Sequence, residues 1–216
     1  MTPIKTNHIV ISGTGRAGTS FLVSLFTRLG LETGFTEKDL TFDPTSRAGL
    51  EYDLRTEQYP PYIVKDPALC NYIPQVLARL DIGIELVIIP MRDIYQAAQS
   101  RREVWKVNMA NKKENKPIHG GGLMNEGDPA VQEVTLAFAL YRLLLDLSVS
   151  NIPVLLLSYE RMMSDRKYLF NKLSGNVCRD RNLLSFNQAY SETIKPEWIH
   201  DYKDVDRSTL SDIQLK

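Results

Sequence analysis

The sequence carries no excess of either charge: 26 lysines and arginines stand against 26 aspartates and glutamates in 216 residues. Such a balance gives no whole-molecule field to draw in nucleic acid or an anionic membrane surface, so neither is expected as a partner and any anion site must be local. Cysteine is almost missing. Cys70 and Cys178 are the only two; they lie far apart with neither CxxC nor Cys/His zinc spacing, and read as reduced structural thiols of a cytoplasmic protein. No metal is expected. Long apolar runs are scarce as well, since the most apolar helical stretch, 134–149, contains Arg142 and Asp146 and reads as a buried helix rather than a membrane span. The first eight residues are polar and lack the apolar core of a secretion signal. There is no internal repeat.

What the chain does have is alternation of short apolar strands with helical patterns, at a length that suits one domain, 1–216. The β-branched run His8-Ile9-Val10-Ile11-Ser12 leads into a glycine-rich loop, then into apolar residues at 21, 22, 25, 26 and 29, one stripe of a helix closed by Gly30. Further strands are expected at 62–65, 85–90 and 154–158, and helices at about 70–80, 94–106, 131–150 and 161–174. Unbroken apolar strands separated by helices predict an α/β fold, a central parallel sheet with helices on both faces. Two segments, about 36–59 and 107–130, lack any pattern and read as acceptor or lid loops. The tail, 201–216, is polar and expected to fray.

The loop Gly13-Thr14-Gly15-Arg16-Ala17-Gly18-Thr19-Ser20 satisfies two patterns at once. As Gly-x-Gly-x-x-Gly it fits a dinucleotide-binding Rossmann turn, which wants an acidic residue about 20 positions on; Glu32 is near that place, but no clear strand precedes it. As Gly-x4-Gly-Thr-Ser it is a P-loop without its usual lysine, in a P-loop NTPase-like three-layer sandwich. That missing lysine counts against ATP, because kinases of this class use it on the β/γ-phosphates. Either way, a strand–loop–helix of this composition gathers backbone N–H groups and a helix N-terminus around one anion.

The stretch Arg16-Ala17-Gly18-Thr19-Ser20 resembles the 5′-phosphosulfate loop of sulfotransferases that use 3′-phosphoadenosine 5′-phosphosulfate (PAPS), written (Lys/Arg)-(Ser/Ala)-Gly-Thr-(Thr/Ser). Arg92, directly after an expected strand, and Ser100, eight residues on, resemble the pair that holds the donor's 3′-phosphate; about two helical turns separate them. Leu156-Leu157-Ser158-Tyr159-Glu160 resembles a strand end that sets Tyr159 near the nucleotide. Lys65-Asp66-Pro67-Ala68-Leu69 is similar to a Lys-Asp-Pro-Arg-Leu stretch of bacterial sulfotransferase-like proteins, and Arg47-Ala48-Gly49-Leu50-Glu51 to their Gly-aromatic-aromatic-Glu segment, one residue short and without the aromatic pair. The resemblance runs over 9–175. It implies PAPS as donor, 3′,5′-adenosine bisphosphate as product, and a donor site made of residues 13–20 with Arg92, Ser100 and Tyr159. The Arg-Lys-Gly loop of the animal cytosolic enzymes is not recognisable.

Sulfuryl transfer is an in-line displacement helped chiefly by cations near the departing phosphate oxygen. Arg16 is the first candidate for that cation and Lys65 the second. For the base that takes the acceptor's proton, Glu51, Asp66 and His119 all remain open. His8 and His200 receive no role. Tyr95, Trp105 and Trp198 could stack on an adenine or an aromatic acceptor, though core packing explains most aromatics. The Lys112-Lys113-Glu114-Asn115-Lys116 run reads as a solvated loop. The acceptor, a small-molecule or glycan hydroxyl or amine, is not legible, and neither is the oligomeric state.

Overall fold

The computed structural model describes residues 5–199 and 202. Four strands, β1 (Thr6–Ile11), β2 (Ile63–Lys65), β3 (Ile82–Met91) and β4 (Val154–Ser158), form one all-parallel sheet in the order β2-β1-β3-β4. Between and after them run helices α1 (Thr19–Arg28), α2 (Ile73–Leu77), α3 (Ile94–Lys113), α4 (Gln132–Val149), α5 (Tyr159–Ser164), α6 (Arg166–Leu173) and α7 (Leu183–Thr193).

Strand alternation divides the core into two layers. Ile9, Ile11, Ile63, Ile88 and Leu157 face α1, α5, α6 and α7. Val10, Val64, Val87 and Ile89 face α2, α3 and α4 on the other side. Burying each such side chain contributes roughly 1.5–3 kcal/mol, so two filled faces explain why β1 and β3 read as unbroken apolar runs. His8 belongs to this frame: it is buried at the register shift between β1 and β3, with Nδ1 2.8 Å from the Pro61 carbonyl oxygen.

Several boundaries differ from expectation. Helix α3 continues to Lys113, so the irregular segment starts after it; Asp93 caps the helix by accepting from the Gln96 N–H, and Lys112 and Lys113 sit in its last turn, where positive charge suits the helix dipole. The expected helix at 161–174 is two helices, because the Asp165 side chain accepts from the Tyr168 N–H and starts α6 afresh. Around 70–80 the expected helix is broken into a 3-10 turn, Leu69–Asn71, and the short α2, with Pro74 in its first turn. Helix α7 was not anticipated; Asn182 caps it, and it drives Phe186 and Tyr190 into the core beside Phe170 and Phe21.

Helix α4 is half-buried rather than buried. It packs Leu136, Ala139, Leu143 and Leu147 inward and leaves Phe138 and Tyr141 more than 60% exposed, at 62% and 63%. Arg102 forks onto the buried Glu133 carboxylate and ties α3 to α4. Among the described residues, no helix is long and apolar enough to cross a membrane. His200 and the tail, apart from Tyr202, lie outside the described residues.

Candidate functional site

In an open parallel sheet, ligands bind beyond the carboxyl ends of the strands where successive connections diverge. Here that point is β1, whose neighbours are β2 on one side and β3 on the other. Each strand end delivers part of the site: β1 the glycine loop, β2 Lys65, β3 Arg92 and β4 Tyr159. Together they line a cavity of about 400 Å³.

The loop owes its shape to backbone conformations that side chains resist. Gly13, Gly15 and Gly18 have φ of 127°, 66° and 82°. A Cβ on Gly15 would lie 2.8 Å from Arg101 Nη2, and one on Gly18 2.7 Å from the Met162 methyl. Arg16 adopts φ 56° without being glycine, a conformation that costs an L-residue about 1–2 kcal/mol. Gly18 caps α1 without any side-chain hydrogen bond. Among the described residues, none of the N–H groups of residues 15–20 donates a hydrogen bond. Left-handed turns and an uncapped helix N-terminus make an anion-binding concavity. Gly15, Arg16, Gly18, Thr19 and Ser20 line the cavity; Gly13, Thr14 and Ala17 shape the loop from behind it.

Four cations converge on this end. Arg16 donates from Nε to Ser100 Oγ at 3.0 Å and from Nη1 to the Ser46 carbonyl. Arg92 donates to the Arg16 carbonyl at 3.0 Å, and its guanidinium lies 4.6 Å from the Tyr159 ring centroid. Ser100 therefore meets Arg16, while Arg92 steadies the backbone of the same residue. Lys65 is 2% exposed, and its Nζ donates to Ser20 Oγ (2.7 Å), the Gly49 carbonyl (2.7 Å) and Glu51 Oε1 (2.9 Å). Burial pulls its pKa down and Glu51 opposes that shift.

The fourth cation, Arg101, escaped the sequence reading. It is buried, donating to the Thr14 and Gly122 carbonyls at 2.6 Å each, and its Nε has no partner. Burial first, then the Arg16 charge, push its pKa down to about 10. Burial likewise lowers that of Arg16, with Arg92 adding to the effect. Buried charges of one sign are costly unless something of the other sign arrives. A signal for Arg101 existed: with Ala97, Val104 and Asn108 it follows the buried helical spacing of α3.

The three candidate bases lie in different places. Glu51 lines the cavity with its side chain 43% exposed and its carboxylate on Lys65. Asp66 does not line it. Lys65 and Asp66 are neighbours at a strand end, so they point to opposite faces; Asp66 is turned toward the α2 side, accepting from Tyr72 Oη (2.6 Å) and from the Leu54 and Ala68 N–H groups. Burial raises its pKa despite those bonds. His119 is also outside the lining. Asn108 holds its N–H and carbonyl, and its Nδ1 lies 2.7 Å from Asp43 Oδ2. Asp43, which burial alone would raise, is held down at about 2 by Ser46 N–H and His119.

Beyond the loop the cavity becomes aromatic. Phe21 of α1, Leu40 and Phe42 of the irregular segment, and Trp198 after α7 form its walls. Tyr95 and Trp105 stay on α3 away from it, and Lys116 pairs with Glu114 in solvent. No family model, curated protein or solved structure matches the chain.

Proposed function

We propose that the protein is a P-loop-type sulfotransferase that moves a sulfuryl group from PAPS to a hydroxyl or amine acceptor. The observation that carries this reading is one anion concavity, the loop of residues 15–20 with its undonated N–H groups, ringed by Arg16, Lys65, Arg92 and Arg101 with Glu51 as the near carboxylate. The residues fit the donor on three counts: a cradle whose Gly15 and Gly18 hold left-handed conformations that side chains resist, the buried Arg101 guanidinium whose Nε has no partner, and Tyr159 and Arg92 stacked at the β3 and β4 ends.

The bound donor supplies a sulfuryl group whose capture by the acceptor oxygen or nitrogen releases 3′,5′-adenosine bisphosphate and a proton. The chain's own part is mostly placement. Loop N–H groups and the α1 N-terminus hold the 5′-phosphate end, and Arg16 and Lys65 face the charge that grows on the departing phosphate oxygen. Arg92 and Ser100 hold the 3′-phosphate end. A guanidinium keeps its proton, so neither arginine serves as the base. Glu51 takes the acceptor's proton: of the two carboxylates that line the cavity it is the one beside Lys65 at the loop end, whereas Glu192 lies against Arg28 farther along α1.

Two rivals fit less well. A nucleotide kinase would place magnesium on the hydroxyl that follows the loop's threonine, yet Ser20 Oγ already accepts from the Lys65 ammonium. A Rossmann protein would set Glu32 at a second strand's end; Glu32 is exposed, outside the cavity, and β2 starts only at Ile63. The test is turnover: PAPS with a fractionated small-molecule extract should release 3′,5′-adenosine bisphosphate, and Glu51→Gln should slow release about 100-fold. Magnesium-dependent release of adenosine 5′-diphosphate from ATP instead, with none of the bisphosphate from PAPS, would replace this reading with a kinase.

A further inference from the structure

The aromatic end of the cavity has a charge that the donor does not explain. Helix α1 runs along it, presenting Ser20, Ser24 and Arg28 at helical spacing; at 1.5 Å per residue this stripe carries the cavity about 12 Å beyond the loop. Arg28 at its end is neutralised, 2.5 Å from Glu37 and 3.7 Å from Glu192. Arg47 and Lys195 are not. Among the described residues neither forms an ion pair, although both lie against the Trp198 ring, at 5.1 Å and 4.4 Å from its centroid.

Arg47 is held by its own loop, and Lys195, though exposed, lies over the Trp198 ring. Arg47 has φ 55°, its Nη1 donates to the Pro44 carbonyl, and its Nε is buried without a partner. Lys195, two residues after the end of α7, covers the ring from the other element. Phe42 meets Trp198 edge-on at 5.4 Å and 76°, so a flat apolar wall and two positive charges occupy the same end. A ring or apolar body satisfies the wall, and an oxyanion satisfies the charges through charge-assisted hydrogen bonds.

We propose that the acceptor is an anionic amphiphile, a hydroxyl-bearing molecule with a flat apolar body and its own carboxylate, which Trp198 and Phe42 stack and Arg47 and Lys195 pair. The proposal rests on the donor reading of the loop end, which takes up Arg16, Lys65, Arg92 and Arg101. A neutral sugar would use the aromatic wall but leave both cations unmatched.

The experiment is calorimetric titration of the full chain, saturated with 3′,5′-adenosine bisphosphate so that the loop is filled. The probes are 4-hydroxyphenylacetate, 4-ethylphenol, N-acetylglucosamine and tyramine. The carboxylated phenol should bind at least tenfold tighter than the neutral one and than the sugar. Arg47→Gln with Lys195→Gln should erase that advantage while leaving bisphosphate affinity unchanged, which also reports an intact fold. Lys195→Glu should shift preference toward tyramine. Equal binding of charged and neutral phenols, preference for the sugar, or weaker bisphosphate binding in the double variant would each overturn the proposal, the last by assigning the cations to the donor. Failure of the unaltered protein to bind bisphosphate at all would instead remove the donor reading beneath it.

Discussion

Replacing Arg16 with alanine and, separately, with glycine divides what the backbone pays from what the side chain does. Arg16 sits at φ 56°, where a Cβ costs about 1–2 kcal/mol. Alanine keeps that cost and loses the guanidinium's bonds to Ser100 and Ser46. Glycine loses the same bonds but relieves the strain, offset by about 0.5–1 kcal/mol of extra freedom in the unfolded chain. The glycine variant should therefore be the more stable of the two by roughly 0.5–1 kcal/mol in urea unfolding. Both should lose the same ligand affinity, because both lack the charge: one charge-assisted contact of about 1.5–3 kcal/mol corresponds to roughly 10- to 150-fold in bisphosphate Kd by calorimetry. Equal stability of the two variants would refute strain at this residue. Parental affinity in either would refute a guanidinium at the anion.

Gly15→Ala should cost about 1–3 kcal/mol, since the new methyl meets Arg101 Nη2 at 2.8 Å in a left-handed conformation; thermal unfolding reads this, and an unchanged Tm would contradict the loop geometry. Asp43 has a folded pKa of about 2, below its unfolded value, so its stabilisation is complete above about pH 4 and is lost as pH falls through 2. With the side chain a quarter exposed, the contribution is on the order of 1–1.5 kcal/mol, and Asp43→Asn should lose it at pH 7 while flattening the acid limb of urea midpoint against pH. Burial pushes the Cys70 thiol up to about 11 and the Cys178 thiol up to about 12. At pH 7.5 a disulfide reagent should therefore label neither thiol in the native protein and both in urea; rapid native labelling of either would show that it is not buried.

Much of the architecture was legible because it rests on short-range pattern. Val10, Val87 and Ile89 announce strands covered on both faces, and the glycines at 13, 15 and 18 announce a tight turn against a ligand. Polar helices were less legible. Residues 107–113 of α3 have no apolar stripe to betray a helix, and Val107 and Met109 are partly exposed. Helix α7 mixes Ser185, Asn187 and Gln188 into its apolar spacing, and only its packing against α1 and α6 fixes it. At the site, Lys65 and Glu51 could be named from their order in the chain, but the contact of Lys65 with Ser20 is a product of strand register that sequence does not carry. Asp66 looked equivalent to them until strand alternation turned it away. Trp198 shares its surroundings with Arg47 across 151 residues of sequence, and no local motif encodes such a meeting.

The central claim is that the four-cation loop end holds a nucleotide bisphosphate, and magnesium-free calorimetric titration with 3′,5′-adenosine bisphosphate tests it most directly, beside ATP with magnesium and NADPH, on the parent and on Arg92→Ala. Tight bisphosphate binding that weakens at least tenfold in Arg92→Ala, with ATP and NADPH far weaker, is the result predicted. No bisphosphate binding, together with clear binding of ATP or NADPH, would contradict it.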